Sequence, residues 1–477
     1  MPTIAARRPT LASLALALVL PALTLVACDR DERGQLVRSA DSVSPAAVDT
    51  GAGLTASLER ALWSQSPPAH VAERHWPLIR RLYEEGRYEP RWVDASGLTA
   101  QGRELLDVLC RAGVEGVALG AADGTSADDP VAREIALSAA WLRYLETLAS
   151  GGREPAAAGA RWRVPAPQPP ADSALAAALR LPPAAAAAAF RPASPAYARL
   201  RALADSLAGR RDSLAAAAAA VIPLDSAALR PGRRDSSVLR LRRLLVARGD
   251  LPPADTAGLV VTTAVTRAVR RFQQRHDLPP TGLLDADTRA LLALSRTEQL
   301  GLVAADLERY RWLPRAAAGR RLVLDLGAGQ LELRSGDGRV LTAALRASAA
   351  CRAALAPLVA DTVAEAVADS AGVLLRLAGG DSLRLSATAG TRAGRPGADP
   401  CLGVAELGPI AGALTDTLPA ATGPLLLYFV SPAVVVRADS SVVFRPRAAG
   451  VARPDSAAVP PPICAEPSAA TPASARS

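Results

Sequence analysis

The side chains best suited to covalent chemistry are the five cysteines, and only three histidines could serve them as bases. A cysteine nucleophile reacts as its thiolate and needs a neighbouring group that accepts or stabilises the proton. Cys401 is the candidate nucleophile, but Asp399 stands close to it, and a like charge raises the pKa of a thiol. The histidines are His70, His75 and His276, and all three precede this region. The residue types around Cys401 therefore disfavour an active thiolate.

The rest of the sequence offers no second reactive constellation. It contains no cluster with metal-ligand spacing, no phosphate-binding loop and no Ser-His-Asp set, so neither a metal nor a cofactor is expected. With 477 residues the chain is long enough for two to four domains. All 55 basic residues are Arg, and only 3% of residues are aromatic, a bias typical of a GC-rich genome. The formal net charge of +9 is therefore weak evidence about partners.

The N-terminus has the pattern of an export signal. Arg7 and Arg8 precede an apolar run over 11–25 that is shorter than a membrane span requires. The following Leu25-Val26-Ala27-Cys28 resembles a bacterial lipobox, in which the Cys is acylated and becomes the first residue of the mature protein. The alternative is an ordinary signal peptide followed by an unrelated Cys. Acylation of Cys28 would give a stable membrane anchor, and export makes nucleic acid an unlikely partner.

Export also places the remaining cysteines where disulfides can form. With Cys28 lipidated, four remain: Cys110, Cys351, Cys401 and Cys464. An even number permits two bridges, and the sequence leaves the pairing open. A disulfide between Cys401 and either Cys351 or Cys464 is an alternative to a catalytic role for Cys401.

The stretch from 263 to 292 has the pattern of two helices joined by a turn. Apolar residues at i, i+3, i+4 and i+7 predict one helical stripe, formed by Val265, Ala268, Val269 and Phe272. A Pro-Pro pair and Gly282 predict the break after it, and Asp285 is predicted to cap the second helix. A further helix is predicted over 237–249.

These three predicted helices resemble the small three-helix peptidoglycan-binding domain. The positions singled out in this module are Val269, Phe272, Gln273, Gly282 and Thr288. The resemblance implies a module whose partner is peptidoglycan, without assigning any individual sugar-binding residue. The alternative is a generic helical hairpin, but helix, turn and second helix match the family pattern in order.

Several other strings resemble the large multidomain L,D-transpeptidases of bacterial cell walls. The matching strings are YEPRWVD at 88–94, WLRY at 141–144, GGR at 151–153, LERYRWLP at 307–314, PLLLYF at 424–429 and RADSSVVFR at 437–445. LERYRWLP is the most specific, and in the family a nearly identical string stands at the entry to the catalytic domain. The resemblance implies a helical scaffold, a wall-binding module and a β-rich catalytic domain.

The catalytic motif of that family is S-H-G-C-x-R, preceded by a second His segment, H-G-T. Its Cys attacks an amide of a donor stem peptide and forms a thioester. The best counterpart here is Ala398-Asp399-Pro400-Cys401-Leu402-Gly403. Asp399 stands at the His position, Pro400 at the Gly position and Gly403 at the Arg position. The resemblance therefore implies a catalytic site from which all motif residues but the Cys have been lost.

Together these patterns predict an α+β multidomain protein. The predicted segments are a lipoprotein signal peptide at 1–28, a tether at 29–53, a helical scaffold-like domain at 54–230, a three-helix peptidoglycan-binding domain at 231–296, a β-rich L,D-transpeptidase-like domain at 297–450 and a disordered tail at 451–477. Inside the L,D-transpeptidase-like domain at 297–450 we expect a helix over 355–368 and strands over 373–377 and 383–386.

The predicted function is that of a membrane-anchored lipoprotein on the periplasmic side of the cell envelope. It binds peptidoglycan and organises the wall as a pseudoenzyme. The alternative is an active L,D-transpeptidase that crosslinks stem peptides through a Cys401 thioester. A disulfide role for Cys401 is compatible with the first of these functions. The sequence indicates no protein partner.

Overall fold

The structure is a computed structural model. The residues it describes are 51–63, 66–119, 129–157, 160–165, 167–209, 231–314, 320–334, 340–347, 358–387, 402–416 and 424–445. All of them belong to one compact unit, Asp49–Ser477. In these ranges no helix is long and apolar enough to cross a bilayer. The predictions for the signal peptide, Cys28, Asp399, Cys401 and the tail fall outside the described residues, as does the tether up to residue 50. The last three tether residues, 51–53, are instead the start of a helix.

The N-terminal part of the unit is helical. Its helices are α1 (Gly51–Leu62), α2 (Trp76–Glu85), α3 (Ala100–Cys110), α4 (Pro130–Ser150), α5 (Asp172–Ala178), α6 (Pro183–Phe190) and α7 (Pro195–Ala208). Between α2 and α3 lies a short hairpin of β1 (Val93–Asp94) and β2 (Gly97–Leu98). Helix α4 is buried along most of its length, and its Glu134 carboxylate accepts hydrogen bonds from the backbone N–H groups of Trp92 and Val93, both at 2.9 Å. One buried carboxylate therefore ties the hairpin to the central helix.

The binding module follows as three helices. These are α8 (Ser237–Ala247), α9 (Thr263–Arg275) and α10 (Ala286–Leu292). The predicted cap is confirmed, because the Asp285 side chain accepts from the N–H of Thr288 at 2.7 Å. Helix α11 (Arg296–Arg311) starts with a capping box of Ser295 and Glu298 and leads into the β-rich part.

The β-rich part is built on a closed sheet. Its strands are β4 (Arg320–Asp325), β5 (Gln330–Arg334), β6 (Val340–Ala347), β7 (Leu358–Asp369), β8 (Gly372–Leu377), β9 (Ser382–Ala387), β10 (Leu402–Val404) and β11 (Leu425–Val430). Pairing runs β4-β5-β6-β10-β9-β8-β7, and β11 pairs with both β4 and β7, which closes the sheet into a barrel. A short strand from the helical part, β3 (Arg161–Trp162), runs parallel to β7.

Two further elements complete this part. Helix α12 (Leu407–Asp416) packs against β7, β8 and β9, and the hairpin of β12 (Val434–Val436) and β13 (Val442–Phe444) packs against α7 and α11. The α+β multidomain class predicted from the sequence is confirmed, with helical domains followed by a barrel-like sheet.

The helix predicted over 355–368 is wrong, since residues 358–369 form the longest strand of the barrel. Residues 358–369 include four Ala, the residue that most favours a helix in isolation. In the folded chain, β7 pairs with β11 through Leu358–Val363 and with β8 through its second half. These tertiary hydrogen bonds override the local preference. The strands predicted at 373–377 and 383–386 are confirmed within β8 and β9.

Candidate functional site

The side chain of Gln273 closes the binding module. The two hydrogens of its amide nitrogen are shared among three acceptors: the Thr281 hydroxyl at 3.1 Å, the Leu283 carbonyl at 2.8 Å and the Thr288 hydroxyl at 3.1 Å. Its amide oxygen accepts from the N–H of Gly282 at 2.8 Å. Gln273 is fully buried on α9, so a single side chain joins α9 to the turn and to α10.

The other positions singled out in the module are also internal. Val269, Phe272 and Thr288 are each 0% exposed. Side chains so enclosed hold the helices together and do not reach a polymer outside. Gly282 belongs to the turn and has a φ of +77°, a conformation that glycine adopts without strain.

The surface around Gly282 combines polar and apolar side chains from α9 and the turn. A Cβ atom placed on Gly282 would come within 2.9 Å of Thr266 Cγ2 and 3.0 Å of Arg270 Nε, so both side chains lie over the turn. The next residue, Leu283, is 44% exposed and adds an apolar side chain to the same surface. We call Thr266, Arg270 and Leu283 the turn surface. Apolar and hydrogen-bonding groups here lie side by side.

The string at 307–314 forms the last turns of α11, and its charged residues are buried. Glu308 accepts from the N–H groups of Gly152 at 2.6 Å and Arg153 at 2.8 Å, which belong to the matching GGR string. Arg311 donates to Glu308 at 3.1 Å and to the Glu115 carbonyl. Two of the strings that carried the family resemblance therefore contact each other directly.

The C-terminal end of α11 also forms hydrogen bonds with the β-rich part. The Tyr310 hydroxyl donates to Asp325 at the end of β4 at 2.8 Å, and Asp306 accepts from the N–H of Val434 in the C-terminal hairpin at 2.8 Å. Burial raises the pKa of Asp325, although Tyr310 and two backbone N–H groups stabilise its charged form. The string is a structural junction.

Strand β10 locates the segment that matches the catalytic motif. Leu402, which directly follows Cys401, pairs with Ala347, and Gly403 pairs with Arg346 on the antiparallel strand β6. Directly opposite residues of an antiparallel pair share one face of the sheet. Gly403, predicted to stand at the Arg position of the family motif, therefore has Arg346 opposite it on the neighbouring strand.

An open cavity of about 660 Å³ lies beside this pair. Its charged lining residues are Arg199 of α7, Asp277 after α9, Arg346 of β6, and Arg437 and Arg445 at the C-terminal hairpin. The β4–β5 turn, 326–329, forms another wall, in which only Leu326 has a large side chain. We call this space the junction cavity, because the scaffold, the binding module and the barrel all contribute to it.

Two groups that could accept a proton, His276 and Asp381, are held in structural contacts. His276 is buried, and its Nδ1 accepts from the backbone N–H of Phe444 at 3.0 Å. Burial, reinforced by Arg275, lowers the pKa of His276 to about 3, so the ring is neutral at physiological pH. Asp381 forms ion pairs with Arg161 at 2.9 Å and Arg163 at 3.5 Å.

Among the cysteines, only Cys110 lies in the described residues. It ends α3 and is disulfide-bonded. The other four cysteines, including both candidates for bonding Cys401, lie outside the described ranges. The pairing between Cys401 and Cys351 or Cys464 stays a prediction.

Two family models match the chain. Residues 77–203 match the "Scaffold domain", and residues 234–292 match the "Putative peptidoglycan binding domain". The chain therefore carries a scaffold domain followed by a peptidoglycan-binding domain. This pair of domains supports the predicted resemblance to the multidomain L,D-transpeptidase family.

Two solved structures were also compared. The L,D-transpeptidase (Yku) from Stackebrandtia nassauensis is 15% identical, with 42% of this chain and 93% of that chain covered and a TM-score of 0.18. An L,D-transpeptidase from Xylanimonas cellulosilytica DSM 15894 is 20% identical, with 42% and 96% covered and a TM-score of 0.17. No curated protein matches the chain. Because both TM-scores are low, the support for the predicted family resemblance comes from the two domain models.

Sequence reasoning missed the residues that the fold brings to the junction cavity. Arg199, Arg346 and Arg437 stand in three distant segments of an Arg-rich chain, so no local spacing marks them. Leu283 had a local signal, because it is a leucine next to a turn glycine that no helical stripe requires.

Proposed function

We propose that this protein is a cell-envelope lipoprotein that binds peptidoglycan and organises the wall without catalysing its crosslinking. The match of residues 234–292 to a peptidoglycan-binding domain carries the proposal. The turn surface is the contact region we assign to the polymer, because its leucine can pack on a sugar face and its Arg can pair with a carboxylate.

Co-sedimentation with purified sacculi tests this contact. The double variant Arg270→Ala, Leu283→Ser should stay in the supernatant, whereas the wild-type chain should pellet. Val367→Ser is the matched control, because Val367 is 39% exposed on β7, away from the module. Equal pelleting of the double variant and the wild type would count against the turn surface. Failure of the wild type itself to pellet would count against wall binding.

The non-catalytic part of the proposal is supported by the motif residues. Asp399 and Pro400 replace the His and Gly of the family motif, and a Pro has no backbone N–H to offer an oxyanion. His276 is engaged with Phe444 and is not available as a substitute base. Members of a catalytic unit act together, so losing several leaves little rate.

Intact-protein mass spectrometry with a carbapenem, which traps the nucleophilic Cys of this family, tests this point. We expect no mass shift in the wild-type chain and no new crosslinks between stem peptides on sacculi. Cys401→Ala serves as the comparison. A stoichiometric adduct that disappears in Cys401→Ala would establish an active thiol.

One observation favours the alternative of an active transpeptidase. Arg346 faces Gly403 across β6 and β10, so it could supply the cation that the motif position lacks. Arg346 would replace only the Arg of the motif, and the proton acceptor supplied by the motif's His would still be missing. The carbapenem experiment decides between the two functions, because the alternative requires a reactive Cys401.

The lipid anchor is proposed from the lipobox at Leu25–Cys28. Cells expressing the protein should incorporate labelled palmitate into it, and membranes should retain it on fractionation. Cys28→Ala should lose both the label and the membrane association. Persistence of the label in Cys28→Ala would rule out acylation at this residue.

A further inference from the structure

We propose that the junction cavity is a binding site for a ligand that carries two or more oxyanion groups, either phosphates or carboxylates. Four guanidinium groups and one carboxylate line it, which leaves a formal charge of +3. This site goes beyond the proposed wall contact, which lies on the turn surface.

The carboxylate of Asp277 does not neutralise the cavity. Arg437 donates to it at 2.7 Å, and Arg445 approaches it at 3.9 Å. Arg199 is oriented by a different contact, since its Nε donates to the Val436 carbonyl at 2.8 Å. Arg346 is exposed and reaches the cavity from β6. The arginines therefore outnumber the single acid that lines the same space.

Asp325 and Asp439 lie near lining arginines but do not line the cavity themselves. Asp325 lies behind the β4–β5 turn, where Tyr310 and the N–H groups of Gly327 and Ala328 bond to one of its oxygens. Those backbone donors are therefore used internally. Recognition of an anion in this cavity would fall to the guanidinium groups, which form forked hydrogen bonds to carboxylate and phosphate oxygens.

The size of the cavity indicates a ligand larger than a single ion. A water molecule takes roughly 30 Å³ in the liquid, and small-molecule sites occupy roughly 300–1,000 Å³. At about 660 Å³ the junction cavity falls within that range. Small side chains, Ala328, Ala347 and Ala438, leave the space between the arginines open. Charges spread over three elements suit a ligand with separated anionic groups.

Calorimetric titration of the purified full chain at low ionic strength tests the proposal. Pyrophosphate and citrate are the two probes, and we expect saturable binding of at least one with a stoichiometry near one. Tighter binding of pyrophosphate would identify phosphate chemistry, and tighter binding of citrate would identify carboxylate chemistry. Binding should weaken as salt is raised, because the interaction is electrostatic.

Substitution of Arg346 makes the test specific to the cavity. Arg346→Ala should weaken binding about tenfold, the value of one charge-assisted hydrogen bond, and Arg346→Glu should weaken it further. Arg376→Ala is the matched control, because Arg376 is an exposed barrel arginine paired with Glu365 at 3.4 Å. Thermal unfolding of each variant confirms that it is folded. Absence of binding by both probes, or equal loss in Arg346→Ala and Arg376→Ala, would overturn the proposal.

Discussion

At the scale of single residues, the binding module depends on the amide of Gln273. Its four hydrogen bonds all end on the turn or on α10. Truncation would leave the carbonyl of Leu283 and the N–H of Gly282 without this partner inside the module. A buried polar group left without a partner costs more free energy than its hydrogen bond contributes. Removing the Gln273 amide therefore destabilises the whole turn.

We predict that Gln273→Ala lowers the free energy of unfolding by about 3 kcal/mol. Gln274→Ala is the natural control, because Gln274 is the next residue on α9 and is exposed. Its effect should stay within about 0.5 kcal/mol. Urea titration followed by circular dichroism measures both. Equal effects of the two substitutions would show that the amide contacts contribute little.

His276 gives the fold a pH dependence of known sign. Its pKa is lowered to about 3 in the folded chain, mainly by burial, against 6.5 when exposed. Between these values the unfolded state binds more protons, so stability is present above pH 6.5 and is lost as pH falls.

We predict that His276 alone makes the chain about 2 kcal/mol less stable at pH 5 than at pH 7. The variant His276→Gln cannot titrate and should lose this part of the pH dependence, even if it is less stable throughout. Urea midpoints at the two pH values, for both chains, supply the comparison. Parallel pH profiles would mean that His276 titrates normally.

At the scale of elements, the end of α11 holds the domains together through buried charge. Arg311 is fully buried and bonds to Glu308, Tyr197 and the carbonyl of Glu115. Removing one member of such a set leaves the others buried without compensation.

We predict that Arg311→Ala lowers the free energy of unfolding by about 3–5 kcal/mol. Arg376→Ala, which breaks an exposed pair, should cost less than about 1 kcal/mol. Chemical unfolding of the two variants under one set of conditions tests the contrast. A loss below 1 kcal/mol in Arg311→Ala would show that hydrophobic packing alone fixes the helix end.

The helices and their caps could be predicted from the sequence, but the pairing of the strands could not. The stripe of α9 and the cap at Asp285 were predictable, because helix periodicity and capping are read within a few residues. Strand β7 was not, because its partners lie on β8 and β11 and its composition favours a helix. The position of Arg346 opposite Gly403 was also hidden, since register between strands far apart in sequence depends on the closed barrel.

At the scale of the whole molecule, the binding module shares its apolar core with the elements around it. One apolar core contains Phe272 of the module, Tyr197 of α7, Leu307 of α11 and Phe444 of the C-terminal hairpin. The contact of His276 with Phe444 adds a hydrogen bond across the same boundary. Point variants on the turn surface are therefore a cleaner probe of wall binding than removal of 236–295.

We predict that heating the protein gives one transition for the module and the barrel together, because they share this core. Differential scanning calorimetry should show a calorimetric enthalpy equal to the van't Hoff enthalpy. Phe444→Ala should lower the midpoint of that single transition without splitting it. Two resolved peaks in the wild-type chain would mean that the module unfolds on its own.

Strand β3 of the scaffold cannot pair until β7, which lies much later in the chain, is available. It pairs with β7 at Val359 and Ala360, and the neighbouring Arg163–Asp361 contact spans 198 positions of the chain. Because the proposed export signal delivers the chain from its N-terminus, β3 reaches the folding compartment before its partner strand does. During that interval Trp162, which later packs beside Tyr428, has no native neighbour from the barrel. We therefore expect chains truncated before β7 to be prone to aggregation and to require chaperone protection.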